Sequence, residues 1–428
     1  MDERILRGRV LRFLRRPEGV GDTAAWQVFE DGAVQIRDGQ IAWVGDFAQA
    51  PRGLPVTDHR PHLITAGFID AHIHFPQGQI TASWGAQLLD WLNTYTFPAE
   101  TKFADPAHAA RMATAFYDLL LRNGTTTASA FCSVHPASVE AYFAEAETRG
   151  MRMLGGKVLM DRNAPEGLLD TPQSAHDDSA ALIAKWHGRG RALYAISPRF
   201  AITSTPAQMA AAGALIAAHP DCHVQTHLSE NLDEIAFACS LYPEARGYLD
   251  IYDRYGMLGP KALLGHAIHL TEAERDRIAE TGAHAVHCPT SNFFLGSGLF
   301  DEAALARRGA TSAIATDIGA GMSWSMLRTG GAAYAVAQLQ KRSLDPFTAF
   351  WWITRGNAEV LGLADRIGTL QPGTEADLVV LDSRATPDLG LRMEAAQDLK
   401  DELFALLILG DDRAVAETYV AGKASKPA

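Results

Sequence analysis

Fifteen histidines lie along this 428-residue chain, and three short apolar runs end in one. Asp70-Ala71-His72-Ile73-His74 closes the first, Gln225-Thr226-His227 the second and Gly265-His266 the third, while Thr316-Asp317 closes a fourth run with a carboxylate. His72 and His74 are two residues apart. On a strand, residues i and i+2 point to the same face, so both imidazoles can reach one ion. Neutral imidazole suits zinc and other borderline divalent cations, and a carboxylate can complete the shell. A lone His-x-His arises easily by chance among fifteen histidines; its weight comes from the other strand ends that also supply ligand types. Glu230, three residues after His227, is placed to carry a proton between an activated water and a substrate. Its ordinary alternative is an acid at a helix N-terminus, and that of Asp317 is a helix N-cap. Lys157, inside another apolar run, is either a modified lysine bridging two metals or an ion-paired one. The run at 193–197 carries no lysine, which favours one metal over two.

These residues meet only if their strands share one end. Apolar runs at 63–69, 125–131, 153–160, 193–197, 223–226, 262–264, 284–286 and 311–315 alternate with amphipathic or alanine-rich stretches at 106–122, 136–149, 179–187, 206–218 and 272–280. Eight strands, each followed by a crossover, predict an α/β chain with a (β/α)8 barrel, whose strand C-termini all open at one mouth. A doubly wound open sheet is the alternative, but no glycine-rich phosphate fingerprint follows the first strand. Before the barrel, residues 7–13, 24–30 and 41–44 read as short strands, with turns at Asp31-Gly32 and Asp38-Gly39. Similar runs return at 376–381 and 417–420. The expected organisation is a small β-sandwich domain built from residues 1–65 and 367–428 around a metal-dependent barrel of residues 66–366.

Composition narrows the class. Hydrophobic residues make up 47% and charged residues 21%, globular proportions with ample length for a core. Fifty acids against thirty-eight bases leave a net charge of −12, which disfavours nucleic acid and anionic membrane as partners. Cys132, Cys222, Cys239 and Cys288 are far apart and form no C-x-x-C, so neither a disulfide framework nor a cysteine-based zinc site is expected. No apolar stretch is long enough for a span, and the arginine-rich N-terminus has no apolar block behind it. A cytoplasmic protein is expected.

The chain resembles a known superfamily at both ends of the predicted barrel. Ala66-Gly67-Phe68-Ile69-Asp70-Ala71-His72-Ile73-His74 looks like the metal-binding start of the amidohydrolase superfamily, with Ala66 where proline is usual. Residues 367–382, from Ile367-Gly368-Thr369-Leu370 through Pro372-Gly373 to Leu381-Asp382, are similar to its closing segment. More narrowly, His74-Phe75-Pro76-Gln77, residues 89–100 (Trp91-Leu92-Asn93-Thr94-Tyr95-Thr96-Phe97-Pro98 at their heart), Ser197-Pro198-Arg199-Phe200, Thr226-His227-Leu228-Ser229-Glu230-Asn231 and His287-Cys288-Pro289-Thr290-Ser291-Asn292 resemble the guanine deaminase family. The resemblance covers nearly the whole chain.

That resemblance implies a zinc-dependent aminohydrolase, a homodimer, converting guanine and water to xanthine and ammonia. His72, His74, His227 and Asp317 would hold one zinc per chain. His266 would lie beside the activated water, and Glu230 would be the proton shuttle. Gln77, Arg199 and Phe200 would contact the purine, with His227, Glu230 and Asp317 at its reacting end. The residue types suit those roles: Gln77 offers donor and acceptor, Arg199 a rigid fork of donors, Phe200 a flat face. Taken without the resemblance, they read as a surface glutamine, a structural ion pair and a core ring. Rival readings are a superfamily aminohydrolase or chlorohydrolase acting on another purine, a pterin or a triazine, a two-metal ring-opening hydrolase, and a catalytically dead binding protein on the same fold.

Overall fold

In the computed structural model, which describes residues 3–85 and 87–427, the chain builds two sheets. The strands, in chain order, are β1 (Glu3–Phe13), β2 (Trp26–Arg37), β3 (Gln40–Asp46), β4 (Val56–Ala66), β5 (Phe68–His74), β6 (Thr125–Phe131), β7 (Arg152–Gly156), β8 (Val158–Leu159), β9 (Leu193–Pro198), β10 (His223–Leu228), β11 (Ala262–His266), β12 (His284–His287), β13 (Ser312–Ile314), β14 (Leu378–Leu381), β15 (Val415–Val420) and β16 (Lys423–Ala424). The first sheet mixes both termini in the order β16-β15-β14-β4-β1-β2-β3. Leu6, Val34, Ile41, Ile64, Val380 and Tyr419, from six of its strands, pack together on one face.

The second sheet runs β5 to β13 in parallel, with β8 continuing the third position beside β9. Its first and last members meet. Asp317 N–H donates to the His72 carbonyl at 3.0 Å, and His74 N–H to the Ile318 carbonyl at 2.7 Å. This is the predicted (β/α)8 barrel. Helices Pro106–Arg122, Pro136–Arg149 and Pro206–Ala218 cover it at the positions read from the sequence. The proline that opens each one lacks only an N–H that a first turn leaves unpaired anyway. No helix among the described residues is long and apolar enough to cross a membrane.

Several boundaries differ from the sequence reading. The run at 63–69 crosses between sheets: β4 ends at Ala66 and β5 begins at Phe68. Gly67 is the joint, where an added Cβ would collide with the Thr126 side chain. Asp31-Gly32 is not a turn. It lies inside β2, next to a bulge in the pairing with β1, and the additional residue there does what a turn signal seemed to promise, a change of direction. Asp38-Gly39, both with positive φ, does make the β2–β3 hairpin turn. The run at 153–160 is broken at Lys157, and the helix read at 179–187 begins earlier, at Pro172, on a Thr171 capping box.

Candidate active site

Each sequence-predicted ligand stands at the same barrel mouth. On β5, Ile69 and Ala71 join Leu154, Leu263, Val286 and Ala313 in an apolar layer. The ladder with β6 then shifts register between Asp70 and Ile73, and His72 and His74 lie above that layer. Asp70 ties this strand to the last one, accepting from the Thr316 N–H at 3.1 Å and from its hydroxyl. His227 and His266 come from adjacent strands, β10 and β11, paired through Leu228 and His266. Ser229, His266, Ala267 and Asp317 all have φ between 46° and 66°. Left-handed backbone is unfavourable for residues with a Cβ, and such strain gathers at functional sites. Here it turns side chains at three strand ends inward.

The donor atoms crowd one point. His74 Nε2 lies 3.1 Å from His227 Nε2. Asp317 Oδ1 lies 3.4 Å from His72 Nε2 and 3.3 Å from His74 Nε2. All four residues are buried. A tetrahedral shell with metal–nitrogen bonds of about 2.0–2.1 Å has edges of about 3.3–3.4 Å, so these separations fit one cation. The electronic state fits too. His227 Nδ1 faces the Arg199 carbonyl at 2.8 Å, which places its proton there and leaves Nε2 as a lone pair. His72 Nε2 is buried with no hydrogen-bond partner. Burial drives His74 down to about 4, against the pull of Asp317. Burial and the neighbouring imidazoles hold His227 well below the usual range. Burial works to raise Asp317, but the facing imidazoles win and hold it well below an ordinary carboxylate. Neutral His74 and His227 imidazoles beside an anionic carboxylate are ligand chemistry. Cys288 lies within reach of the same cluster, but burial holds its thiol well above the usual range, so it is a neutral wall.

Around this point stand the proton-handling groups. His266 Nε2 is 3.4 Å from Glu230 Oε2 and 3.7 Å from Asp317 Oδ2, while its Nδ1 faces Asn292 Oδ1 at 3.0 Å. Glu230 is pushed up to about 8 by burial, helped by Asp317 and opposed by Ser297, whose hydroxyl donates to Oε1 at 3.0 Å. A carboxyl with that value carries a proton at neutral pH. It does not cap a helix: Asn231 caps the helix Leu232–Leu241. Asp317 caps none either, since the next helix, Met326–Leu339, is capped by Ser325.

Gln77, Arg199 and Phe200 line the same cavity, about 410 Å³ with its mouth, together with Trp91, Leu92 and Leu295. That lies within the size range of small-molecule sites. Gln77 is buried rather than on the surface, Arg199 does make a buried ion pair, with Glu100, and Phe200 does pack into the core, while all three also line the cavity. The Phe200 ring stands 6.2 Å from His227, near edge-on. Lys157 is elsewhere: its Nζ is paired with Asp170, the ordinary reading of that residue. Sequence reasoning missed Glu100, Ser297 and Asn292, whose residue types carry no spacing signal, and Glu234, whose carboxylate accepts the N–H groups of Glu230 at 2.8 Å and Asn231 at 3.1 Å. The Asn231-x-x-Glu234 spacing is a capping-box signature and could have found it.

Barrel and site together define a hydrolase built around a His-rich, cation-binding mouth. Residues 63–424 match the amidohydrolase family. The chain is 47% identical over 418 residues to the guanine deaminase of Escherichia coli (strain K12), covering 97% of this chain and 95% of that one. Among solved structures, E. coli guanine deaminase superposes with a TM-score of 0.96 at 46% identity, covering 99% of each chain. A guanine deaminase from C. acetobutylicum with guanine bound in its active site superposes at 0.89 and 29% identity, covering 99% of this chain and all of that one. The chain belongs to the amidohydrolase family, within its guanine deaminase branch.

Proposed function

We propose that this protein hydrolyses guanine to xanthine and ammonia, with one zinc per chain held by His72, His74, His227 and Asp317. The observation that carries the reading is one cavity with a cation-shaped donor cluster and the buried Glu230 carboxyl at its floor, and an amide and a guanidinium on its wall. Near full-length similarity to named guanine deaminases supports the substrate. Zinc in such a shell supplies a Lewis acid that makes water nucleophilic near neutral pH.

The chain's own residues handle the protons. As the water oxygen adds to C2, Asp317 takes one of its protons and Glu230 gives its own to the ring nitrogen beside C2. In the tetrahedral intermediate that results, Asp317 passes its proton to the amino group. The C–N bond breaks, ammonia leaves with the bonding pair, and the hydroxyl proton returns to Glu230 as the C2 carbonyl forms. His266, tethered by Asn292, orients the water between Glu230 and Asp317. Arg199 and Gln77 hold the carbonyl-bearing edge, and Phe200 packs on the ring system. In this reading residues 66–366 are the catalytic barrel, residues 1–65 and 367–428 form the accompanying domain, and the protein is cytoplasmic and a homodimer; sedimentation of the purified chain tests the dimer.

Incubation with guanine, before and after chelation and zinc return, tests the activity. Equimolar xanthine and ammonia, lost on chelation and restored by zinc, is the expected outcome. A zinc-loaded protein silent on guanine but active on a triazine or pterin would overturn the substrate assignment.

A further inference from the structure

We propose that Glu100, a residue outside the reacting centre, is the positioning residue that sets the protein's preference for a carbonyl over an amino group at C6 of the purine. The proposal rests on the guanine reading above and deepens it. Glu100 is the penultimate residue of the helix segment Phe97–Thr101, is fully buried, and touches both proposed purine-reading groups. Its Oε1 accepts from Gln77 Nε2 at 2.8 Å and from Arg199 Nη1 at 2.9 Å, and its Oε2 from the same Nη1 at 2.8 Å. The segment is itself pinned, since the Ser133 hydroxyl donates to the Glu100 carbonyl at 3.1 Å.

An ionised carboxylate only accepts hydrogen bonds. Facing one, the Gln77 amide has a single orientation, with NH2 toward Glu100. Its Oε1 then takes the Gly319 N–H, 3.3 Å away. The same carboxylate occupies Nη1 of Arg199, which leaves Nε and Nη2 as the donors this cavity-lining guanidinium has to offer. Arg199 is further steadied over the Phe97 ring at 5.6 Å. The wall therefore presents fixed donors at Arg199. A C6 carbonyl accepts from them; a C6 amino group sets donor against donor in a buried site, where an unmade hydrogen bond discriminates strongly. Without the carboxylate, the amide is free to flip and the guanidinium to swing, and the preference fades.

The test compares zinc-loaded wild type with Glu100→Gln and Glu100→Asp on guanine and on 2,6-diaminopurine, which keeps the C2 amino group and replaces the C6 carbonyl and its N1–H by an amino group and a bare N1. The expected result for Glu100→Gln is a guanine KM raised ten-fold or more, kcat within about three-fold, zinc content unchanged, and a guanine-to-diaminopurine kcat/KM ratio reduced at least ten-fold. Glu100→Asp, with the charge but a shorter reach, should recover part of the ratio. A merely structural role would lower kcat or the folded fraction and leave the ratio alone; an unchanged ratio overturns the proposal. Where neither variant folds, competition on wild type decides: hypoxanthine must inhibit at least ten-fold more strongly than adenine, and the reverse order overturns it. Wild type inactive on guanine would refute the functional reading instead, a distinguishable outcome.

Discussion

The two ends of the barrel both bury charge, and they do it in opposite ways. At the lower end, Arg152 and Arg191 meet Glu375 and Asp377 of the C-terminal segment. Arg152 Nε donates to Glu375 Oε2 at 2.8 Å, Arg191 Nε to the same oxygen at 3.0 Å, and Arg191 Nη1 to Asp377 Oδ1 at 3.1 Å and to the Gly150 carbonyl at 2.7 Å. Asp377 also accepts the Ala421 N–H at 2.8 Å. Opposite charges are matched there, and the cluster staples barrel to sheet. At the mouth, imidazole nitrogens face one another, His72 Nε2 makes no hydrogen bond and lies 3.4 Å from Asp317, three strand ends carry left-handed backbone, and burial pushes one carboxyl up. Paired charge is what a buried cluster looks like when it serves cohesion. Donor atoms converging on one point, with strain around them, is what it looks like when it serves a cation and a reaction.

Substitutions at the two ends should therefore fail differently. Glu230→Gln keeps the shape of the mouth but removes its mobile proton. Turnover of guanine should fall by about 10²–10⁴-fold, with one zinc per chain still present by elemental analysis; near-wild-type turnover would remove Glu230 from the mechanism. Arg191→Met leaves Glu375 and Asp377 partly unpaired. Breaking a buried pair from one side costs about 3–5 kcal/mol, so denaturant melts should show a loss of that order, while the folded fraction keeps its kcat and its zinc. A large loss of kcat in that variant would erase the distinction between the ends.

The protonation of the mouth gives a smaller signal. Burial raises Glu230 from 4.5 to about 8, and Glu234 to about 7. Between about 4.5 and these values the folded chain holds protons that the unfolded chain has released. Folded stability of the metal-free chain must then fall as pH rises through that window, by up to about 1.4 kcal/mol per pH unit for each such group. Glu230→Gln should flatten the slope of Tm against pH from 6 to 8 relative to wild type; an identical slope would mean that Glu230 is ionised throughout. The smallest effect is expected at Lys157. Replacing the buried Lys157–Asp170 pair by Met and Asn should change stability by about 1 kcal/mol or less and leave zinc at one per chain. A lost metal would restore the bridging role that the ion pair argues against.

Much of this contrast was legible in the residues themselves. His72 and His74 were readable because strand period brings i and i+2 together, and His227, His266 and Asp317 because each closes an apolar run. The lower cluster was invisible for the complementary reason. Arg152 and Glu375 are 223 positions apart and of types that usually face solvent, so only the closed fold brings them together. Glu100 stayed hidden likewise: residues 89–100 stood out only by resemblance, and nothing in them shows that this glutamate is fully buried between a glutamine and an arginine. The domain boundary at 65/66 fell beside the joint at Gly67, but the run at 63–69 was read as one strand across it because both sheets use apolar runs, and hydropathy does not register a change of sheet.

The most direct test of the contrast is an anomalous diffraction map from crystals grown with zinc, recorded on both sides of the zinc edge. The account predicts one peak per chain at the mouth, within about 2.0–2.1 Å of the Nε2 atoms of His74 and His227, with His72 and Asp317 closing the shell and none at the lower cluster. A mouth without a peak in protein that still deaminates guanine would contradict it.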